Sequence, residues 1–171
     1  MGRLKKGDKV ITPFHPDQHD HGQCVSEAIA AAETYCKKYG LSFTPLRRQV
    51  LELVWSSHGP IGAYELLDKL RISRGNAEPP TVYRALEFFI GNGLIHRIES
   101  LNAYVGCGDP TRRHGGQFLI CRDCKSVAEL DDTDIDGAVI RRADALGFEA
   151  EQQTVEVVGR CSACSSERKD D

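Results

Sequence analysis

No long apolar run occurs anywhere in the 171 residues, so none offers the roughly 20 consecutive apolar positions of a membrane-spanning helix. The start, MGRLKKGDK, is charged and lacks the apolar core of a secretory signal. The expected compartment is therefore the cytoplasm. Thiols stay reduced there, which turns spaced cysteines toward metal binding and away from disulfides. Enzyme signatures are missing as well: there is no phosphate-cradling glycine loop, no nucleophile elbow and no metal set with an evident vacant position. We expect no enzyme and no small-molecule substrate. A net positive charge is also lacking; the formal value is -3, which at first sight disfavours nucleic acid. The distribution of charge says otherwise. Residues 1–105 carry 13 basic and 11 acidic side chains, residues 106–171 carry 9 and 14, and the window 37–84 carries 8 and 4. A basic stretch ahead of an acidic one fits a DNA reader joined to a part that does not touch DNA.

What is present is ordinary globular composition, 40% apolar and 27% charged, in a chain long enough for one domain or two small ones. Residues 1–23 hold prolines, glycine and polar residues without periodicity and read as a flexible tail. The alternative is a metal-binding leader using His15, His19, His21 and Cys24. Apolar residues at three- and four-residue steps predict a helix over 25–39, with Cys36 as a packed thiol on its apolar face. Thr44-Pro45 supplies an N-cap and a first helical residue for a second helix, whose stripe is Leu46, Val50, Leu53 and Val54. Arg47 and Arg48 lie off that stripe. A third helix is expected from about residue 63 to 71, then a polar turn over 73–79. Pro79 and Pro80 fit only the entrance of a fourth helix, with Val82, Leu86, Phe89 and Ile90 inward. Thr81, Tyr83 and Arg84 sit on its remaining face near the N-terminus, where a reading helix enters the major groove. Strands over 94–99 and 102–105 complete a winged helix. The alternative is a plain helical pair with a solvated face.

The run from His96 to Glu129 concentrates metal-binding side chains. Cys121-x-x-Cys124 lies between strands expected over 117–120 and 127–130. A helix over 132–146 and a strand over 148–158 lead to Cys161-x-x-Cys164. Two such pairs point to one closed tetrahedral zinc with four cysteine ligands, structural in role. The alternative, a redox dithiol, wants its pair at the start of a helix after a strand, whereas each pair here reads as lying at a strand end. His96, Cys107, His114 and Glu129 form a looser second set of two imidazoles, a thiolate and a carboxylate, suited to Zn2+.

The strings FTPLRRQVLELV, AYELLDKL, PPTVYRALEFF, GLIHRIESLNAYVGC and FLICRDCKSVAEL resemble the Fur family of metalloregulators, and its zinc uptake regulators in particular. The resemblance runs from Ser26 to Cys164. It implies an α+β chain: a winged helix-turn-helix DNA-binding domain over 24–106, a hinge over 107–115, a small α/β dimerisation domain over 116–164 stapled by the four-cysteine zinc, and a C-terminal tail over 165–171. It also implies a homodimer that binds palindromic double-stranded operator DNA when metallated. Two zinc ions per chain follow, a structural one on Cys121, Cys124, Cys161 and Cys164 and a regulatory one on His96, Cys107, His114 and Glu129. Tyr64, Thr81, Tyr83 and Arg84 match positions that meet DNA. Two departures stand out. The stretch RRHGGQ has one histidine where iron sensors carry several, which favours zinc. Glu78 stands where relatives often have a basic residue. The expected function is zinc-dependent repression of zinc-uptake genes; the alternatives are sensing of iron or peroxide on the same fold, or zinc storage.

Overall fold

The computed structural model describes residues 9–14, 21–57, 59–110 and 115–166. In chain order its elements are β1 (Lys9–Thr12), α1 (His21–Lys38), α2 (Pro45–Ser56), β2 (Ile61–Gly62), α3 (Ala63–Arg74), α4 (Pro79–Gly91), β3 (Ile95–Ile98) and β4 (Ala103–Gly106). There follow β5 (Gly116–Cys121), β6 (Val127–Asp131), α5 (Thr133–Ala145), β7 (Thr154–Gly159) and α6 (Ser162–Ser166). They divide into two compact units, residues 17–110 and residues 1–16 with 111–171.

In the 17–110 unit the helices form where their apolar periods predict. Thr44 caps α2, its hydroxyl accepting from Arg47 N at 3.3 Å, and Pro45 fills the first position, where a missing N–H costs nothing. Val50, Leu51 and Val54 of α2 meet Leu66, Leu67 and Leu70 of α3 and Val82, Ala85, Leu86 and Phe89 of α4 in one core cluster. Phe89 is fully buried, and cutting it to Ala would cost about 3–5 kcal/mol. Cys36 is buried too, and desolvation raises its thiol pKa, so it stays an inert packed group. Helix α3 runs on through Ser73 and Arg74, further than expected, and ends at Gly75, whose φ of 73° favours glycine. The wing is a three-stranded sheet in the order β2-β4-β3. Its β2, two residues long, is too short to leave a pattern in the sequence. The β3–β4 corner turns through Asn102 at φ 47°.

The other unit is a four-stranded sheet in the order β1-β6-β5-β7. β5 pairs antiparallel with β6 and parallel with β7, and a parallel pair needs a crossover, which α5 provides. Asp132 caps α5 by accepting from Asp134 N and Ile135 N at 2.8 and 3.2 Å. Gln117 is buried in β5, donates to Asp132 O and Asp136 Oδ1 at 2.8 Å each, and accepts from Asp132 N at 3.0 Å.

Four expectations need correction. The tail over 1–23 is not without structure: Lys9–Thr12 pairs with Glu129–Asp131 of β6, because a sheet edge offers unpaired backbone groups to any extended segment within reach. Helix α1 begins at His21, ahead of the expected Val25. The last strand is shorter than expected, since the chain extends only from Thr154, and Ser165 and Ser166 belong to α6.

Candidate metal centres and nucleic-acid interface

Cys121 ends β5 and the chain then folds back on itself, with Lys125 N donating to Cys121 O at 2.9 Å and Cys121 N to Ser126 O at 2.9 Å. Lys125 takes φ 62° to make that reversal. The second pair is delivered by β7 through the parallel pairing of Cys121 with Gly159, and Arg122 N donates to Gly159 O at 2.9 Å. All four sulfurs lie within 4.8 Å of one another, and Cys124 Sγ stands 3.8 Å from Cys161 Sγ. A tetrahedral zinc with bonds of about 2.3 Å sets its sulfurs about 3.8 Å apart. A disulfide needs about 2.05 Å, and these cysteines are free thiols. The donor set therefore fits zinc.

Electrostatics agree. Cys161 N donates to Cys121 Sγ at 3.4 Å; that N–H first, then the Cys124 N–H, draws the Cys121 pKa down. Cys164 goes the other way, pushed up to about 12, first by its hydrogen bond with Cys161 and then by burial. Thiols this close cannot all lose their protons without a cation among them. Around them, Ser126 Oγ lies 3.0 Å from Cys124 Sγ, and Arg160 pairs with Asp123 at 2.5 Å, clasping one loop to the other. No sequence pattern marked these supports.

One sequence argument fails here. Cys161 is followed at once by α6, which contains Cys164, so the second pair sits at a helix start and not at a strand end. Helix position no longer separates the zinc and redox readings. The fourfold convergence does, because a redox dithiol uses two sulfurs.

Of the second set, His96 and Cys107 both belong to the 17–110 unit. His96 lies opposite Val105 in the β3–β4 ladder, and Cys107 N extends that ladder by donating to Leu94 O at 3.2 Å. Cys107 is buried, His96 half-buried, and their ligand atoms come within 4.8 Å. An imidazole and a thiolate at that range are two of the donors a tetrahedral zinc takes. Glu129 is a buried carboxylate on β6 in the other unit. His114 lies outside the described residues, as do His15, His19 and the side chain of His21.

Tyr64 stands on the first turn of α3 with 71% of its surface exposed. Thr81, Tyr83 and Arg84 occupy the first turns of α4; Tyr83 and Arg84 are exposed and Thr81 half-buried. Arg47 and Arg48 are off the core stripe but half-buried: the Arg47 guanidinium stacks 3.5 Å from the Phe88 ring centre, and Arg48 pairs with Glu33. Among the described residues no helix is long and apolar enough to cross a membrane.

Residues 38–158 match the sequence profile of the Ferric uptake regulator family. The chain belongs to that family. A family relative, the zinc uptake regulation protein of Escherichia coli (strain K12), is 38% identical over 141 residues, 81% of each chain. The zinc uptake regulation protein of Mycobacterium tuberculosis (strain H37Rv) is 33% identical over 107 residues, 61% of this chain and 79% of that one. Among solved structures, a zinc uptake regulator complexed with zinc and DNA superposes with a TM-score of 0.82 at 36% identity, covering 85% of this chain and 97% of that one. Holo XcZur gives 0.77 at 44%, covering 82% and 98%. The winged helix and the four-cysteine sheet described above are thus this family member's own versions of a ferric uptake regulator fold.

Proposed function

We propose that this member of the ferric uptake regulator family is a zinc-responsive transcriptional regulator, not an enzyme. It acts in the cytoplasm, binds palindromic operator DNA as a zinc-loaded homodimer and represses zinc-uptake genes. The observation that carries this reading is the 36% identity and 0.82 TM-score with a zinc uptake regulator complexed with zinc and DNA. Two zinc ions per chain are proposed. Cys121, Cys124, Cys161 and Cys164 hold the structural one. His96, Cys107, His114 and Glu129 hold the regulatory one, a reading supported by the proximity of His96 to Cys107 and by the burial of the Glu129 carboxylate. A bound zinc supplies four coordinate bonds and no redox chemistry.

The protein groups divide the remaining work. Arg84, at the start of α4, offers a planar fork to guanine or a clamp to phosphate, while Thr81, Tyr83 and Tyr64 add contacts alongside it. Apolar side chains left open on the 111–171 unit support the homodimer: Leu146 is 85% and Phe148 64% exposed, with Val139, Ile140, Val157 and Val158 also uncovered. A two-fold dimer presents two reading helices to half-sites about 34 Å apart. Zinc and DNA binding are coupled by roughly 1–3 kcal/mol, and by linkage DNA tightens zinc equally. The test is an operator gel shift with zinc and with chelator, expected to lose the shifted band in the chelator lane. Equal affinity in both lanes would refute the regulatory role.

The alternative reading is a thiol-based peroxide sensor on the same fold, which the convergence of four sulfurs and the raised Cys164 pKa disfavour. Loss of operator binding after mild peroxide, with zinc released, would support a peroxide sensor; retention of both zinc and DNA binding would exclude it.

A further inference from the structure

The β3–β4 ladder has two faces. Side chains alternate along each strand, so His96, Val105 and Cys107 share one face, and Ile95, Tyr104 and Gly106 share the other. Against the second face lies the indole of Trp55, the chain's single tryptophan, from the end of α2. A Cβ on Gly106 would meet Trp55 Cε2 at 2.2 Å and its Cζ2 and Nε1 at 2.6 Å. Gly106 does not have a positive φ, so the position calls for glycine on grounds of space, not of backbone conformation.

The indole touches the ladder where it has least support. β2 covers β4 only at Ala103 and Tyr104. From Val105 to Cys107 the backbone pairings are with the β3 side: His96 with Val105, Ile95 with Gly106, and Cys107 N with Leu94 O. Metal affinity depends on ligands held close to their bonding positions, and the groups that hold them count nearly as much as the ligands.

We propose that Trp55 is a positioning residue for the regulatory zinc: its indole, seated on Gly106, braces the back of the last rungs of the wing and so sets the spacing of His96 and Cys107. This rests on the ligand set proposed above. Packing of an indole against a bare Cα is specific to this pair, because any side chain at 106 displaces the ring and any smaller residue at 55 leaves the rung unsupported.

The test uses the full-length protein with both sites loaded and compares the unaltered chain, Gly106→Ala, Trp55→Leu, the double variant and His96→Ala. Chelator competition reads the affinity of the removable, regulatory zinc against the tight, structural one, thermal melting reads stability, and Trp55 emission is followed during zinc titration. Gly106→Ala is expected to weaken the removable zinc by roughly 10–100-fold, the range for lost supporting groups, while the tight zinc stays bound. Trp55→Leu and the double variant, both without the indole that supports the rung, should weaken the removable zinc as well, by more than their melting temperatures fall, again with the tight zinc retained. Emission from the unaltered chain should shift as the removable zinc binds and not as the tight one does. Unchanged zinc affinity in Gly106→Ala or in Trp55→Leu, a double variant with the affinity of the unaltered chain, or losses of affinity only in step with melting would overturn the role of Trp55. If His96→Ala abolishes the removable zinc while Gly106→Ala leaves it intact, only the bracing fails. If His96→Ala leaves it intact, the ligand set itself fails and the proposal with it.

Discussion

Removing half of the four-cysteine site, with Cys161→Ser and Cys164→Ser together, is expected to unfold the 111–171 unit and leave the other unit standing. The structure sets the scale. Among the described residues of 115–166, the buried apolar side chains besides cysteine are Phe118, Ile120 and Ala128. Their burial contributes about 5 kcal/mol in all. Helix α5 buries no side chain, and the sheet and its β5–β6 turn place polar Gln117, Ser126, Glu129 and Asp131 inside as well. Zinc on four thiolates contributes on the order of 10 kcal/mol or more, about twice the apolar share and comparable to the whole stability of a small domain. Residues 17–110 do not depend on it, because their core cluster from Ile29 to Tyr104 is continuous and apolar. Hydrogen exchange read by mass spectrometry, with zinc content measured on the same sample, separates the two. Peptides from β5 and β7 should lose protection while those from α2 and α4 keep theirs. A variant that has lost the tight zinc yet protects β5 and β7 as before would refute this reasoning.

Three further outcomes are expected. Arg84→Ala should weaken operator binding by about 1–3 kcal/mol, with zinc content unchanged, in titrations across a salt series; equal affinity at every salt would remove Arg84 from the DNA surface. Zinc capture by the cysteine site must displace protons, since the metal-free Cys164 thiol, its pKa pushed up to about 12, is protonated at neutral pH. Affinity should therefore fall on acidification, about tenfold per pH unit for each proton released, in chelator competition at two pH values; a flat profile would argue that these thiols are not the ligands. Phe148→Glu with Leu146→Glu places charge on the exposed apolar surface and should shift sedimentation from dimer toward monomer without loss of the tight zinc; an unchanged dimer would put the contact elsewhere.

Local chemistry carried much of this protein into view before any coordinates. Thr44-Pro45 and Pro79-Pro80 mark helix starts because a cap and a missing N–H act on neighbours in the chain. The apolar period of Val82, Leu86 and Phe89 fixes the buried side of α4 and so leaves Tyr83 and Arg84 outside. The two Cys-x-x-Cys pairs announce a shared metal, since each turn aims two sulfurs one way and a tetrahedron needs four. Other features depend on segments distant in sequence. Lys9–Thr12 has β-branched Val10, Ile11 and Thr12, but four residues are too few to mark a strand by period; it becomes one because the edge of β6 offers partners. Tight packing of Trp55 on Gly106 joins residues fifty-one apart, and neither is unusual alone. Asp123 and Arg160 become a clasp only once β5 and β7 run side by side. Periodicity and capping act over a few bonds and are written into the chain, whereas pairing, packing and ion pairing depend on which segments folding brings together.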